Sequence, residues 1–511
     1  MRALISVSDK TNVDVFAQNL VDLGFEIIAT GGTRKLLLDK GIKVINIEDI
    51  TGFKEICDGR VKTLHPKVHG ALLARRDNEE HMNELKENQI ELIDLVCVNL
   101  YPFEQTIKRA DVTLDLAIEN IDIGGPSMLR SAAKNCDSVT VVCDPSDYDL
   151  IIEEIKANGN TQKDTRFKLA AKAYTHTAEY DMVIASWFRK QANLSEKLFI
   201  EADLVQNLRY GENPHQQAKF YKVGNDINYS LANAKQLHGK ELSYNNIQDA
   251  NAALQIVSEF KEPFVVALKH MNPCGAAIGK DVVEAWTKAY NADKVSIFGG
   301  IVATNQVVTK EVALLMKPIF LEVILAPKFE ADALEVFSKK KNIRLIEVDM
   351  TNNAYPTNHI VAVRGGLLVQ YADDYTTTKE VVADMAVTNT KPNSDQINDL
   401  NFAWKIVKHV KSNAIVVAKD GATCGIGAGQ MNRIGSAKLA IEQAHALGIN
   451  EGLVLASDGF FPFDDTVKLA SESGVTAIVQ PGGSVNDELS IVAANYTSIA
   501  MLMTGMRHFK H

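Results

Sequence analysis

The sequence predicts an α/β protein of several domains, opening with a doubly wound parallel sheet. Strand-like and helix-like segments alternate through the first ~150 residues, and the alternation resumes with different punctuation after ~201. A chain of 511 residues also exceeds what one core organises. Strands are expected at 2–7 (RALISV), 25–30 (FEIIAT), 42–47 (IKVINI), 93–100 (IDLVCVNL) and 138–143 (SVTVVC). Between the first two, Ser8 or Asp9 is placed to cap a helix whose apolar face carries Val13, Phe16, Leu20 and Leu23, and Gly24 ends it. Another helix is expected from Pro126, after the turn Asp122-Ile123-Gly124-Gly125, because proline suits a first helical position. This domain spans 1–145, and 146–200 reads as a charged helical connector. The remainder, 201–511, is expected to hold two packed subdomains with a seam near 360–400. FVVALKH, FGGIVATN, VILAPKF, NAIVVAKDG, GLVLASDGFF and TAIVQPGG supply its strands, and no strict sequence repeat stands out.

With 46% hydrophobic and 23% charged residues, the composition is that of a globular protein, and no apolar run resembles a membrane span. The first residues run straight into a strand, without the apolar core or cleavage site of a secretory signal, so a cytoplasmic location is expected. A formal charge of −10 argues against broad nucleic-acid binding and leaves anions to locally basic or amide-lined pockets. The six cysteines form no C-x-x-C pair and read as reduced, mostly buried thiols.

In open α/β sheets, ligands bind beyond the carboxyl ends of the strands. Ser8-Asp9-Lys10-Thr11 follows the first strand and Thr30-Gly31-Gly32-Thr33-Arg34 the second; both offer backbone N–H groups, hydroxyls and a cation to a phosphate. Asn99-Leu100-Tyr101 follows the fourth strand, and the Asp122 turn leads into a helix carrying Arg130 and Lys134. GRVKTLHP (59–66) adds Arg60, Lys62, Thr63 and His65. Each loop alone is weak evidence, since Ser-Asp and Thr-Gly-Gly-Thr before helices are more often caps and turns; their meeting at one end of a sheet points to a site. In the second half, ALKHMNPCGAA (267–277) sets Lys269, His270, Asn272 and Cys274 side by side. Residue types alone leave a metal site, a nucleophile with its base, a general-base pair and a plain turn all open.

SVSDKT, TGGT, GRVKTLHP, NLYPF and DIGGPSMLRSAAKN resemble the IMP cyclohydrolase half of a bifunctional purine-biosynthesis family. NLRYGENPHQ, LKHMNPCG, VSIFGGIVATN, IGAGQMNRI, SDGFFPFDD and the C-terminal MRHF resemble its other half, the phosphoribosylaminoimidazolecarboxamide (AICAR) formyltransferase. The resemblance runs in order along the whole chain. It implies a methylglyoxal-synthase-like domain, then a transferase of two cytidine-deaminase-like subdomains, in a homodimer with transferase sites at the subunit interface. The implied reactions pass a formyl group from 10-formyltetrahydrofolate to the amine of AICAR, then close the product FAICAR to IMP with loss of water. The co-substrate is then 10-formyltetrahydrofolate and the small-molecule partners are AICAR and FAICAR. No catalytic metal is implied, and a structural alkali cation near the C-terminal loops is compatible with the family.

Carried over by position, the cyclohydrolase pocket would use Ser8, Asp9, Lys10, Thr30, Gly31, Gly32, Thr33, Arg60, Val61 and Thr63. Lys62, Val98, Asn99, Tyr101, Asp122 and Ile123 complete it, and Lys134 matches the acid/base lysine. Whether Lys62 or Lys134 moves the proton stays open. In the transferase, Arg209 and Tyr210 match a nucleotide-contacting pair and Lys269-His270 the catalytic pair. Phe298, Gly299, Glu322, Asn413, Arg433, Ile434, Phe460, Asp465, Ser484, Val485 and Arg507 match pocket positions. The implied roles are His270 as base on the amine, Lys269 steadying charge and Asn413 orienting the reacting groups. Arg209 and Arg507 would bind phosphate or carboxamide, and Phe298 and Phe460 would stack on flat rings. Position 30 is Thr where some relatives carry Ser, and 322 is Glu where some carry Asp.

Competing readings are weaker. His65 and His69 stand four apart, but Pro66 intervenes and no Glu follows in zincin register. GIGAGQ (425–430) brings its third glycine one residue early for a dinucleotide fingerprint. Loss of chemistry in one half, leaving a sensing or dimerisation module, disagrees with two intact polar sets. A lyase joined to a zinc deaminase would need a second thiolate at 277, which is Ala. Residues 272–275 are expected to form the turn that leaves Lys269 and His270 at a strand's carboxyl end.

Overall fold

In the first unit, Met1–Glu201, five short apolar runs become strands β1 (Arg2–Ser6), β2 (Glu26–Ala29), β3 (Val44–Asn46), β4 (Leu95–Val98) and β5 (Thr140–Val142). The computed structural model describes residues 1–224, 228–351, 358–373 and 378–511. All five strands fall inside the expected ranges, pair in parallel and take the order β3-β2-β1-β4-β5. The switch point of a doubly wound sheet therefore lies between β1 and β4.

Helix α1 (Val13–Asp22) buries Val13, Phe16 and Leu20, and Gly24, at φ 85°, turns the chain out of it. The expected cap is corrected: the helix starts too late for Ser8 or Asp9 to reach, and Asn12 precedes it without a side-chain cap. Asp9 instead closes a local turn, accepting from Thr11 N at 2.9 Å and Thr11 Oγ1 at 2.7 Å. Helix α2 (Gly31–Asp39) follows β2 directly. Helix α3 (Gly124–Lys134) starts two residues before Pro126, which still sits in the first turn, where its missing N–H costs nothing.

Residues 146–200 are helical, as α4 (Tyr148–Asn158) and α5 (Lys163–Gln191), but they are not a bare connector. Ile151, Ile152, Ile155, Leu169 and Ala173 belong to the buried core of the first sheet. The Tyr148 ring stacks on Phe16 at 4.1 Å. At roughly 1.5–3 kcal/mol for each large apolar side chain buried, this segment holds the first unit together.

The second unit, Ala202–His511, is built on one mixed sheet. Its strands are β8 (Lys235–His238), β9 (Phe264–Lys269), β10 (Asn272–Ile278), β11 (Gly300–Thr304), β12 (Leu321–Ala326), β13 (Arg344–Glu347), β16 (Ile415–Lys419), β17 (Ala422–Gly427), β18 (Leu453–Ser457), β19 (Val475–Gln480) and β20 (Ala500–Met503). Two ribbons stand apart: β6 (Asp203–Leu208) with β7 (Ala218–Lys222), and β14 (Asn358–Val363) with β15 (Gly366–Tyr371). The large sheet runs β20-β19-β18-β16-β17-β10-β9-β11-β12-β13-β8. Read outward from the β17/β10 pair, both directions give the same pattern: a hairpin partner, then three strands mutually parallel.

Helix α6 (Tyr244–Val257) precedes the β9–β10 hairpin, and helix α7 (Ser394–Val407) precedes β16–β17. The two stretches, 243–279 and 393–429, superpose in sequence at a constant offset of 150 without a gap. Ile247, Asp249, Asn251, Ile256, Val257, Lys261, Lys269, Cys274 and Gly275 recur as Ile397, Asp399, Asn401, Ile406, Val407, Lys411, Lys419, Cys424 and Gly425. Both helices begin with a capping box, Ser243/Asn246 and Asn393/Gln396. A repeat is therefore present where none stood out. Residues 374–377 of the expected seam lie outside the described residues.

Candidate active sites

A chain of contacts ties the expected loops of the first unit into one surface at the carboxyl edge of its sheet. Ser6 Oγ and Thr30 Oγ1 lie 2.8 Å apart, and Val7 N donates to Thr33 Oγ1 at 3.1 Å, joining the loops after β1 and β2. Lys10 folds back, its Nζ donating to Thr33 Oγ1 at 2.9 Å, and burial lowers its pKa. Asn99, just past β4, accepts from Asp9 N at 2.9 Å and donates to Asp9 O at 3.1 Å, clamping the loop across the switch point. Lys62 Nζ lies 3.8 Å from where a Cβ on Gly31 would stand, and it pairs with Glu55. Arg60 pairs with Glu119 on an exposed surface.

The Asp122 turn closes the other side. Asp122 Oδ1 accepts from Gly125 N at 2.8 Å. Burial raises its pKa, against the N–H groups of Gly125 and Tyr101, which lower it. The next two residues have little room: a Cβ on Gly125 would stand 2.4 Å from Asp122 Oδ2, and one on Gly124 would stand 2.7 Å from Thr63 Oγ1, so either would displace a side chain of the turn. Tyr101 and Ile123 are exposed beside this turn, whereas the Val98 side chain is 1% exposed, so only its backbone could face a ligand. Val61 pairs by backbone with Ile56 in the tight turn around 57–60. The structure does not bring Lys134 into this group. It is the last residue of α3, ten residues and about 15 Å along the axis from Gly124. His65 and His69 have separate partners: His65 Nδ1 accepts from Lys67 N at 3.2 Å, and His69 Nδ1 meets Ser131 Oγ at 2.9 Å.

Sequence reasoning missed Tyr180, on α5, whose hydroxyl accepts from Asp122 N at 2.8 Å. Its ring packs edge-on against Phe103, which also meets Trp187. No local signal marks Tyr180, since it comes from the helix read as a connector.

In the second unit, the expected turn at 272–275 is corrected. The turn is His270-Met271, at φ 54° and 62°, and Asn272 already begins β10. Two successive left-handed residues match a two-residue hairpin of the primed class, whose twist suits antiparallel strands. The hairpin tip opens into a cavity of about 480 Å³ whose walls include Tyr210, Lys269, His270, Gly299 and Glu322 of the expected residues. Lys269 Nζ donates to Phe298 O at 2.7 Å, and Glu322 Oε2 accepts from Asn246 Nδ2 at 2.8 Å. Arg209 lies over the Tyr210 ring, 5.6 Å from its centre, and the Phe298 side chain is exposed beside Phe320. Burial pushes the Cys274 thiol up to about 12, which disfavours a nucleophilic thiolate, and its Sγ donates to Ala267 O.

The remaining expected residues form a second cluster on the same edge of the sheet. The start of β16 and the ends of β17, β18, β19 and β20 lie at the edge that carries the His270 turn. Arg433 Nη2 donates to Asn413 Oδ1 at 2.9 Å, and its Nη1 to Ser457 Oγ at 2.9 Å, beside buried Asp458. Asn413 Nδ2 donates to Gln430 O at 2.8 Å, so both residues are fixed. Ile434 follows Arg433 at the start of its helix, and Asp465 opens the helix after Phe460. Ser484 and Val485 follow β19, and Arg507, after β20, lies over Phe509. None of these walls the 480 Å³ cavity, and strands β10 and β17 stand between β9 and β16.

Two family models match the chain. The MGS-like domain model matches residues 12–127, and the AICARFT/IMPCHase bienzyme model matches 132–443, more than half of the chain. The bifunctional purine biosynthesis protein PurH of Bacillus cytotoxicus is 54% identical over 512 residues, covering 100% of this chain and 99% of its own. PurH of Bacillus cereus is similar to the same extent, 54% over 100% of this chain and 99% of its own. No helix among the described residues is long and apolar enough to cross a membrane. A parallel N-terminal sheet of MGS type, a mixed C-terminal sheet and full-length identity of this order lead to one conclusion: the chain belongs to the AICARFT/IMPCHase bienzyme family, the bifunctional AICAR formyltransferase and IMP cyclohydrolase of de novo purine synthesis.

Proposed function

We propose that the loops at the β1/β4 switch point close FAICAR to IMP, and that the His270 hairpin carries formyl transfer from 10-formyltetrahydrofolate to AICAR. The observation that carries this reading is the Lys269-His270 pair at the tip of a hairpin opening into the 480 Å³ cavity. The AICAR amine nitrogen attacks the formyl carbon while His270 takes the amine proton. The bond from that carbon to folate N10 breaks, and N10 receives a proton, giving FAICAR and tetrahydrofolate. The Lys269 ammonium, braced on Phe298 O, faces the charge that builds on the formyl oxygen.

The inverted order of strands on either side of β17/β10 supports two subdomains of one origin, which we read as the cytidine-deaminase-like pair, within a transferase of 201–511. We take 1–145 as the cyclohydrolase domain, extended by the packed helices of 146–200. Asn413, Arg433, Ile434, Phe460, Asp465, Ser484, Val485 and Arg507 share an edge with His270 but not its cavity, which supports a homodimer in which a partner's cluster covers the cavity. Such a protein works on small molecules in the cytoplasm. An alkali cation would have to find oxygen ligands near the C-terminal loops, and buried Asp458 is the carboxylate placed there.

In ring closure, the FAICAR amide nitrogen attacks the formyl carbon and the formyl oxygen leaves as water. The loop amides and Lys10 suit the phosphate, and Lys62 is the lysine beside Gly31 in that pocket. We assign Lys62 the proton transfer and Asp122, with Tyr101, the orientation of the amide. Lys134 keeps the acid/base role only if it serves a partner's pocket. The test follows FAICAR and IMP from AICAR and 10-formyltetrahydrofolate. Lys62→Ala is expected to stall at FAICAR. Full IMP formation by Lys62→Ala, with arrest in Lys134→Ala, would move the role to Lys134.

A further inference from the structure

We infer that Asp249 is the positioning residue for His270, a carboxylate that holds the imidazole and balances its charge during formyl transfer. This rests on the reading of His270 as the base. Asp249 lies on α6, twenty-one residues before His270, and lines the same cavity. Its Oδ1 accepts from Met271 N at 2.7 Å, fixing the turn.

The second copy of the repeat shows what a purely structural aspartate does at this position. There Asp399 gives both oxygens to the turn: Oδ2 accepts from Asp420 N at 2.9 Å and Oδ1 from Gly421 N at 2.7 Å. In the first copy the Met271 bond is kept, whereas Asp249 Oδ2 has no hydrogen-bond partner among the described residues. The position that is Asp420 in one copy is His270 in the other. One carboxylate oxygen is thus released where an imidazole replaces a carboxylate.

The charged and titratable groups around His270 narrow the choice of counter-charge. Lys269, on its own strand, is held by Phe298 O. Glu322, from β12, is engaged by Asn246 and by Arg344 at 3.7 Å. Tyr210 and Glu212 come from the loop after β6, where Glu212 is exposed. Asp249 is the half-buried anion with an oxygen left to offer. Burial raises its pKa, and the neighbouring His270 lowers it. When His270 takes the amine proton, Asp249 stays ionised beside the imidazolium. The proton then passes on toward folate N10 and nothing is left on Asp249.

Asp249→Asn tests this, because the amide oxygen can still accept from Met271 N while the charge is gone. The expected result is a fall of about tenfold or more in kcat for formyl transfer, with KM for AICAR within about twofold. An unchanged kcat in a folded Asp249→Asn protein, or a loss carried by KM alone, would overturn the positioning role. His270→Ala, assayed alongside, separates the two failures: formyl transfer persisting there removes the base itself, and with it this inference.

Discussion

Residues 243–279 and 393–429 fold into the same helix and hairpin, and compared position by position they part at the turn. Both lysines at the strand ends brace a carbonyl, Lys269 on Phe298 O at 2.7 Å and Lys419 on Glu451 O at 2.9 Å. Both turns pass through two left-handed residues, His270-Met271 and Asp420-Gly421. Both cap-box side chains reach the next strand but one, Asn246 to Glu322 and Gln396 to Thr476. What differs is the chemistry on those shared bonds: His270 for Asp420, Glu322 for Thr476, and an Asp249 oxygen without a hydrogen-bond partner among the described residues where both Asp399 oxygens are taken. A duplicated scaffold thus sorts its own residues. Features kept by both copies build the hairpin; features held by one are the candidates for catalysis. Lys269 falls in both groups, since its brace is inherited and its place beside His270 is not.

The copies also meet, and breaking that meeting is expected to have the largest effect on stability. Glu259 and His409 occupy equivalent positions, and Glu259 Oε1 lies 3.0 Å from His409 Nε2 with Lys408 on the same oxygen, all buried. Glu259→Ala would remove the buried carboxylate that Lys408 and His409 share in the core. A cost of about 3–5 kcal/mol is expected, read from chemical denaturation. A loss under about 1 kcal/mol, the range of surface pairs, would show that the copies do not depend on this contact.

A smaller effect should appear with pH. Burial lowers the pKa of His409 from 6.5 to about 4, outweighing Glu259, which raises it. The folded value is the depressed one, so on acidification the unfolded chain takes its proton first. Stability is therefore expected to fall between pH 6.5 and about 4 and to be fully present above that window. Urea midpoints for the native protein and His409→Gln across the window check this. The slope should flatten in the variant, and equal slopes would refute the assignment.

The first sheet was legible in the sequence because each strand is a short apolar run between punctuated helices. The loops at its carboxyl edge followed from the same reading. In the second sheet the runs FVVALKH, FGGIVATN, VILAPKF, NAIVVAKDG, GLVLASDGFF and TAIVQPGG were legible too, as β9, β11, β12, β16, β18 and β19, but the turns were not. Its hairpin turns depend on a carboxylate from a helix some twenty residues upstream, Asp249 or Asp399, and no local pattern shows such a contact. The Asp-Gly of NAIVVAKDG is a strong hairpin signal. Carried back by 150 residues, it would have placed the first turn at His270-Met271 instead of 272–275. The motif that named Lys134 gave its identity but not its position, because a straight helix carries it away from Asp122. Tyr180 had no motif at all.

The central claim is that the copies share a scaffold and only the first carries the formyl-transfer base. His270→Asp tests it most directly, because it writes the second turn into the first. Aspartate already occupies this position at φ 53° in the second copy, so the hairpin should keep its shape. Formyl transfer to AICAR should fall by about 10²–10⁴-fold, while supplied FAICAR still closes to IMP at the native rate. Formyl transfer at the native rate by a folded His270→Asp protein would contradict the account.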